Sequence, residues 1–137
     1  NMFGGYPGPW DEKEPWKGWW GPKPPYGHPV VVLTHYPREP LEMDGGTTFY
    51  FVTDGIERAL EQATRAAKGR DVSLAGGANV AQQYLAAGLV DEMEIHLAPT
   101  VLGKGERLFD GIDDLHGLEL VRTVAAPSVT HLKFARR

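Results

Sequence analysis

The 137-residue sequence contains no cysteine, which excludes disulfides, thiolate catalysis and cysteine-ligated metals. It also lacks any run near the roughly 18 to 20 apolar residues that a membrane-spanning helix requires. The formal net charge is −4 and no basic cluster exceeds Arg136-Arg137, which argues against a nucleic acid as main ligand. We therefore expect a cytoplasmic protein that binds neither membranes nor nucleic acids.

The length suits one core and leaves no room for two, so residues 1–137 are expected to form a single domain. Within it, residues 1–29 hold most of the prolines and all four tryptophans. This density of proline excludes a helix interior or a central strand, whereas the aromatic content is too high for a solvated linker. We interpret residues 1–29 as an ordered loop that covers apolar surface, and the alternative is a flexible terminus.

The remaining sequence alternates between strand and helix patterns. Short apolar or β-branched runs predict strands at residues 30–33, 47–52, 71–75 and 94–98. Helical periodicity predicts helices from Asp54 to about Lys68 and from about Ala78 to Ala87, and the tail predicts an antiparallel hairpin from two alternating segments, 118–124 and 129–134. The predicted fold class is α/β, with a mostly parallel central sheet flanked by helices.

Helix ends carry their own signals. Asp54 followed by Glu57 predicts an N-cap with a capping box, and Gly69 predicts the stop of that first helix. Glu61 and Arg65 have the spacing of an ion pair on its solvated face. Gly88 is placed for a left-handed C-cap of the second helix.

The stretch from Asp71 to Val80 is the strongest sign of a binding site. A predicted strand runs into Gly76-Gly77, and a helix opens directly afterwards. Adjacent glycines bring bare backbone to the start of a helix, where free N–H groups and the macrodipole can hold a phosphate. The alternative is a turn that only allows a helix to pack closely on a sheet.

Other polar groups give weaker signals. Thr34, His35 and Arg38 follow a predicted strand, at the end where open α/β sheets bind ligands, and could recognise a phosphorylated ribose. The alternative is an exposed polar loop. Glu94 and His96 share one face of a strand, but further metal ligands cannot be named, so no metal is expected. No residue is an obvious nucleophile or general acid, so the catalytic residues are unknown and a cofactor would carry the chemistry.

Five segments resemble, in the same order, the dihydrofolate-reductase-like family, and especially the reductase domain of the bacterial bifunctional riboflavin-biosynthesis deaminase-reductase with its stand-alone relatives. The segments are residues 31–35, 51–56, 74–78, 87–92 and 99–103. The resemblance implies an NADPH-dependent reductase with a three-layer sheet, a homodimer among its assemblies, and a cis or strained Gly76-Gly77 peptide bond.

The resemblance also implies roles for individual residues. The cofactor pyrophosphate would lie on Gly76, Gly77, Ala78, Asn79 and Val80. Its adenosine side would lie on Thr34 and His35, with Arg38 at the 2′-phosphate. Leu102 and Gly103, in the 99–103 segment, would lie near the nicotinamide and the substrate.

One departure from the family pattern affects function. Family members begin with strands that this sequence does not match, so about a third of the domain is expected to precede Asn1, which would be a remnant of a second phosphate contact. We therefore expect an N-terminally truncated chain that is inactive alone and leaves the strands at 72–75 and 94–98 without neighbours. The leading hypothesis is hydride transfer from NADPH to a small heterocyclic or carbonyl substrate, such as a pterin or a ribosylaminopyrimidine. The alternative is a non-catalytic nucleotide-binding or dimerisation module.

Overall fold

The computed structural model of the protein describes residues 3–5 and 8–137. The chain divides into two compact units, Asn1–Gly77 and Ala78–Arg137. The elements of the first unit are β1 (Pro29–Leu33), β2 (Leu41–Glu42), a 3-10 turn (Asp44–Gly46), β3 (Thr48–Val52) and α1 (Ile56–Ala67). Those of the second are α2 (Ala78–Ala86), β4 (Glu92–Leu97), β5 (Leu118–Ala126) and β6 (Val129–Arg136). The expectation of a single domain stays a prediction.

The first unit is built on a three-stranded sheet in the order β1-β3-β2. β1 and β3 are parallel, while the short β2 is antiparallel to β3. Because paired residues share a face, Val30 and Val32 lie on the same side as their partners Phe49 and Phe51. α1 packs against β1 and buries Ile56 among its core residues.

The proline- and tryptophan-rich segment covers the sheet face that carries Phe49. Phe3 is 3% exposed, and its ring centroid lies 4.9 Å from that of Phe49. The indole of Trp16 donates a 2.8 Å hydrogen bond to the carbonyl of Phe3, and Trp20 stacks on Phe49. Trp10, Trp16 and Trp20 pack against the buried cluster of Phe3, Val32 and Phe49.

The ends of α1 agree only in part with the sequence patterns. The N-cap is Gly55 without a side-chain cap, so the predicted capping box at Asp54 was wrong. The Asp54 carboxylate instead accepts a 3.3 Å hydrogen bond from the neighbouring Thr53 hydroxyl. At the other end Lys68 takes the left-handed conformation just before Gly69. The predicted Glu61–Arg65 pair is confirmed, at 2.7 Å.

The second unit contains an antiparallel sheet in the order β4-β6-β5. The predicted hairpin is confirmed as β5 and β6, with a bulge between Leu120 and Arg122. Gly88, two residues after the end of α2, has a φ of 64°, which confirms the predicted left-handed cap. The Leu89 N–H donates to the Tyr84 carbonyl at 3.0 Å, and the Gly88 N–H donates to the Leu85 carbonyl at 3.0 Å. These two bonds form a Schellman motif.

The strand arrangement differs from the expected single, mostly parallel sheet. The described strands form two sheets, and β1–β3 is the one parallel pair among them. Residues 71–75 form no strand, because no described strand pairs with them, and Val72 and Leu74 are exposed. The other strand expected to lack neighbours, β4, pairs with β6. The α/β class is confirmed, as a mixed α/β fold.

Candidate cofactor-binding site

The Gly76-Gly77 peptide bond is cis, as the family resemblance implied. Gly76 has a φ of +96°, which residues with side chains rarely adopt. Among the residues that the structure describes, and apart from Gly76 and its two chain neighbours, no heavy atom lies within 4 Å of the position that its Cβ would take. Both glycines are half-buried. The bare backbone at Gly76 therefore borders open space that a ligand group can enter.

α2 begins at Ala78, directly after this turn in the sequence. Its first turn carries no acidic side chain, so nothing there opposes an anion at the positive end of the helix. The Asn79 side-chain oxygen accepts a 2.9 Å hydrogen bond from Gln83, whereas its amide group keeps two donors. Ala78, Asn79 and Val80 thus form the N-terminal turn of α2, whose backbone N–H groups have no partner within the helix, and Asn79 adds a side-chain amide.

Thr34 and His35 lie at the carboxyl end of β1. The Thr34 N–H donates to the Val52 carbonyl at 3.0 Å, which continues the β1–β3 pairing by one residue. The Thr34 hydroxyl accepts a 3.2 Å hydrogen bond from the Tyr36 N–H, and His35 is exposed. The structure therefore presents a hydroxyl and an imidazole at the strand end where the sequence placed them.

Arg38 packs into the aromatic cluster of the first unit. Its guanidinium lies 5.2 Å from the centroid of the Trp10 ring and 5.0 Å from that of Phe51. It also donates a hydrogen bond to the Trp16 carbonyl. Burial lowers the pKa of Arg38 from its ordinary value. The structure thus gives Arg38 cation–π packing and one hydrogen bond to a backbone carbonyl.

The remaining predicted site residues are spread along the chain. Leu102 is 79% exposed and Gly103 has a φ of +75°, in a segment without helix or strand. Asn1 lies outside the described residues. Thr34, His35, Arg38, Gly76 and Gly77 belong to the first unit, whereas Ala78, Asn79, Val80, Leu102 and Gly103 belong to the second.

Two further features were missed in the sequence. An open groove of about 540 Å³ lies between α1 and the sheet face that carries Val31 and Tyr50, with Arg58 and Arg65 on its wall. Glu61 pairs with both arginines, so their charge is partly offset. The alternation of side chains along β1 and β3 could have predicted that Val31 and Tyr50 lie on this face, opposite the face that carries Phe49. The second feature is the pairing of His96 with His131 in the second unit, which no local sequence pattern reveals.

Comparison with known proteins identifies the family. The model of the RibD C-terminal domain matches residues 9–132. The chain belongs to the RibD C-terminal domain family. This confirms the resemblance to riboflavin-biosynthesis reductase domains that the sequence motifs indicated.

The chain is similar to a curated protein and to two proteins of known structure. The uncharacterised protein YyaP of Bacillus subtilis (strain 168) is 36% identical over 75 residues, which are 53% of this chain and 38% of YyaP. A putative riboflavin biosynthesis protein from Shewanella sp. PV-4 has a TM-score of 0.65 at 24% identity, covering 82% of this chain and 63% of that one. A pyrimidine reductase-like protein from Corynebacterium diphtheriae has a TM-score of 0.51 at 16% identity, covering 77% and 49%.

These matches place the chain in a fold shared with reductase-like proteins. The matched part is 38% of the curated relative and at most 63% of the two solved structures. The chain therefore spans less than two thirds of the length of each.

Proposed function

We propose that this chain is the cofactor-binding part of a reductase that uses NADPH. The observation that carries the proposal is the family match over residues 9–132, which includes the open Gly76 backbone and the start of α2. In broader terms, the family and its reductase-like neighbours support a reductase-type role in the riboflavin pathway.

The chemistry of the residues fits a dinucleotide pyrophosphate. The backbone at Gly76 borders open space that a phosphate can enter, and Gly77 also lacks a side chain. Ala78, Asn79 and Val80 would supply donors at the positive end of α2. Bound NADPH would supply the hydride from C4 of its nicotinamide, while these residues would hold and orient its phosphates. Thr34 and His35 would contact the adenosine side, through a hydroxyl and an exposed imidazole.

The substrate is proposed to be a small heterocyclic or carbonyl compound, of the pterin or ribosylaminopyrimidine type. The names of the solved neighbours, a riboflavin biosynthesis protein and a pyrimidine reductase-like protein, support this class. Leu102 and Gly103 would border it, and the exposure of Leu102 is consistent with a contact to a ligand. The three-layer dihydrofolate-reductase-like arrangement, a homodimer and a cytoplasmic location belong to the same proposal.

Calorimetric titration of NADPH into Gly77→Val and unmodified protein tests the pyrophosphate contact. The valine side chain should crowd the phosphate and weaken binding by about tenfold or more, because inserting bulk into a fitted contact typically costs about 1–3 kcal/mol. Ala86→Val, which adds bulk at the exposed far end of α2, should bind NADPH with unchanged affinity. Equal affinities for Gly77→Val and unmodified protein would show that the pyrophosphate does not lie there.

A second assay separates the reductase from a non-catalytic nucleotide-binding module. NADPH oxidation is followed with a panel of pterins and ribosylaminopyrimidines, in the longest natural form of the protein. Oxidation that depends on one of these compounds supports the reductase. NADPH binding without oxidation by any of them would favour the non-catalytic module.

Arg38 is proposed to contact the 2′-phosphate. A guanidinium has five N–H groups, so donors remain for a phosphate beside the hydrogen bond to the Trp16 carbonyl. Arg38→Gln should then reduce the preference for NADPH over NADH by about tenfold or more, the usual value of a charge-assisted contact. Loss of stability with an unchanged ratio of the two affinities would assign Arg38 to packing alone.

A further inference from the structure

Three potential metal ligands share one face of the β4-β6-β5 sheet. Glu94 and His96 are two residues apart on β4, so their side chains emerge on the same side. His131 is the partner of His96 in the antiparallel ladder, which places it on that side as well. The ladder therefore brings together two imidazoles and one carboxylate from two strands.

The distances within this group suit a small ion. The two Nδ1 atoms of His96 and His131 lie 2.7 Å apart, and ligand atoms of all three residues lie within 4.8 Å of one another. A tetrahedral zinc site with Zn–N bonds of about 2.0–2.1 Å needs nitrogens about 3.4 Å apart. The two nitrogens would need to move apart by less than about 1 Å to reach that spacing. The Glu94 carboxylate would also need to move towards them.

The surroundings of the group permit a cation. Glu94 lies 3.6 Å from Arg122, in a pair whose side chains are 44% and 61% exposed. An exposed pair at this distance is worth less than about 1 kcal/mol, so an ion can displace the arginine. Lys133, which lies opposite Glu94 in the ladder, is paired with Glu92 at 2.9 Å.

We propose that Glu94, His96 and His131 form a binding site for a divalent transition-metal ion of the zinc class. Two imidazoles and a carboxylate are a ligand set that zinc accepts, with a fourth position left for water. Magnesium and calcium prefer oxygen ligands and should not compete. The ion would cross-link β4 to β6. This site shares no residue with the proposed cofactor contacts and stands independently of them.

Zinc titration by calorimetry into the chelator-treated 137-residue chain tests the site directly. Removing an outer hydrogen-bond partner of a metal ligand typically costs about 10- to 100-fold in affinity, so His96→Gln or His131→Gln should cost at least about 100-fold. Glu94→Gln should weaken binding by at least about tenfold. The matched control is His28→Gln, an exposed histidine of the first unit, which should leave the affinity unchanged.

The histidines also hydrogen-bond to each other, so a second way for a glutamine variant to lose zinc is disturbed strand pairing. His131→Asp separates these effects, because it removes the same imidazole but supplies a carboxylate ligand. It should bind zinc at least about tenfold more tightly than His131→Gln. Equally weak binding by these two variants, unchanged binding by His96→Gln, or an equal loss in His28→Gln would each overturn the proposal.

Discussion

The sheets of the two units are buried to very different extents. In the first unit Phe49 is 1% exposed and Val32 and Val52 are each 8% exposed. In the second unit Leu118 is the one buried residue of the described β5, and Leu120 and Val124 are 51% and 46% exposed. The first sheet has one well-covered face, whereas the second sheet presents much of its surface to solvent.

This difference separates two sources of stability. The first unit gains its stability from apolar burial, since aromatic rings from the N-terminal segment pack around Phe49. The second unit buries fewer apolar side chains, Tyr84, Leu85 and Leu118. It is also held by strand pairing and by polar contacts such as those of Arg136. Units with few buried apolar groups open at a lower free-energy cost. We therefore expect amides of β6 to exchange faster than amides of β3.

The largest expected effect is that of Phe49→Ala. Removing a buried phenylalanine typically costs about 3–5 kcal/mol, through lost burial and the cavity left behind. Urea unfolding followed by tryptophan fluorescence measures this loss, because all four tryptophans belong to the first unit. Protection of β6 amides should stay unchanged if the two units unfold separately.

The matched control is Phe109→Ala in the second unit, where the ring is 41% exposed. This variant should lose less than about 1 kcal/mol, and the fluorescence transition should not move. If Phe49→Ala lowers the protection of β6 as much as that of β3, the two units form one cooperative structure. The contrast in burial would then not be a contrast in stability.

Local sequence signals predicted the features that depend on few residues. The alternation in residues 118–124 and 129–134 predicted the hairpin, and Gly88 predicted the end of α2. The spacing of Glu61 and Arg65 predicted their pair. Each of these depends on contacts close in sequence, which periodicity and turn chemistry describe well.

Features that depend on distant partners were missed. A strand exists only when another strand pairs with it, and residues 71–75 have an apolar pattern but no described partner. The contact of His96 with His131 needs the register of β4 on β6, across 35 positions of sequence. The packing of Arg38 on aromatic rings was missed for the same reason, because these rings come from residue 10 and residue 51.

A medium effect is expected for Arg136→Met in the second unit. The Arg136 guanidinium donates to the carbonyls of Gly88 and Val90, at 2.6 and 3.0 Å, and so ties β6 to the end of α2. Hydrogen bonds from a charged group contribute about 1.5–3 kcal/mol, and methionine keeps much of the apolar stem. Hydrogen exchange at the Gly88 and Leu89 amides should therefore accelerate.

The control for this variant is Arg137→Met. Arg137 pairs with Glu119 at 3.2 Å, but the two side chains are 71% and 56% exposed, so its removal should change little. Equal acceleration at Gly88 in both variants would mean that the positive charge near the chain end matters rather than the two carbonyl contacts.

The smallest effect is expected for Lys133→Met, which removes the 2.9 Å pair with Glu92 on the sheet surface. The lysine side chain is 33% exposed and the glutamate 64%, so solvent screens the pair and its loss should cost less than about 1 kcal/mol. A double-mutant cycle with Glu92→Gln, measured by exchange of β6 amides at low and high salt, isolates the interaction. A coupling energy larger than the effect of Arg136→Met would mean that surface charge, more than the carbonyl contacts, stabilises the exposed sheet.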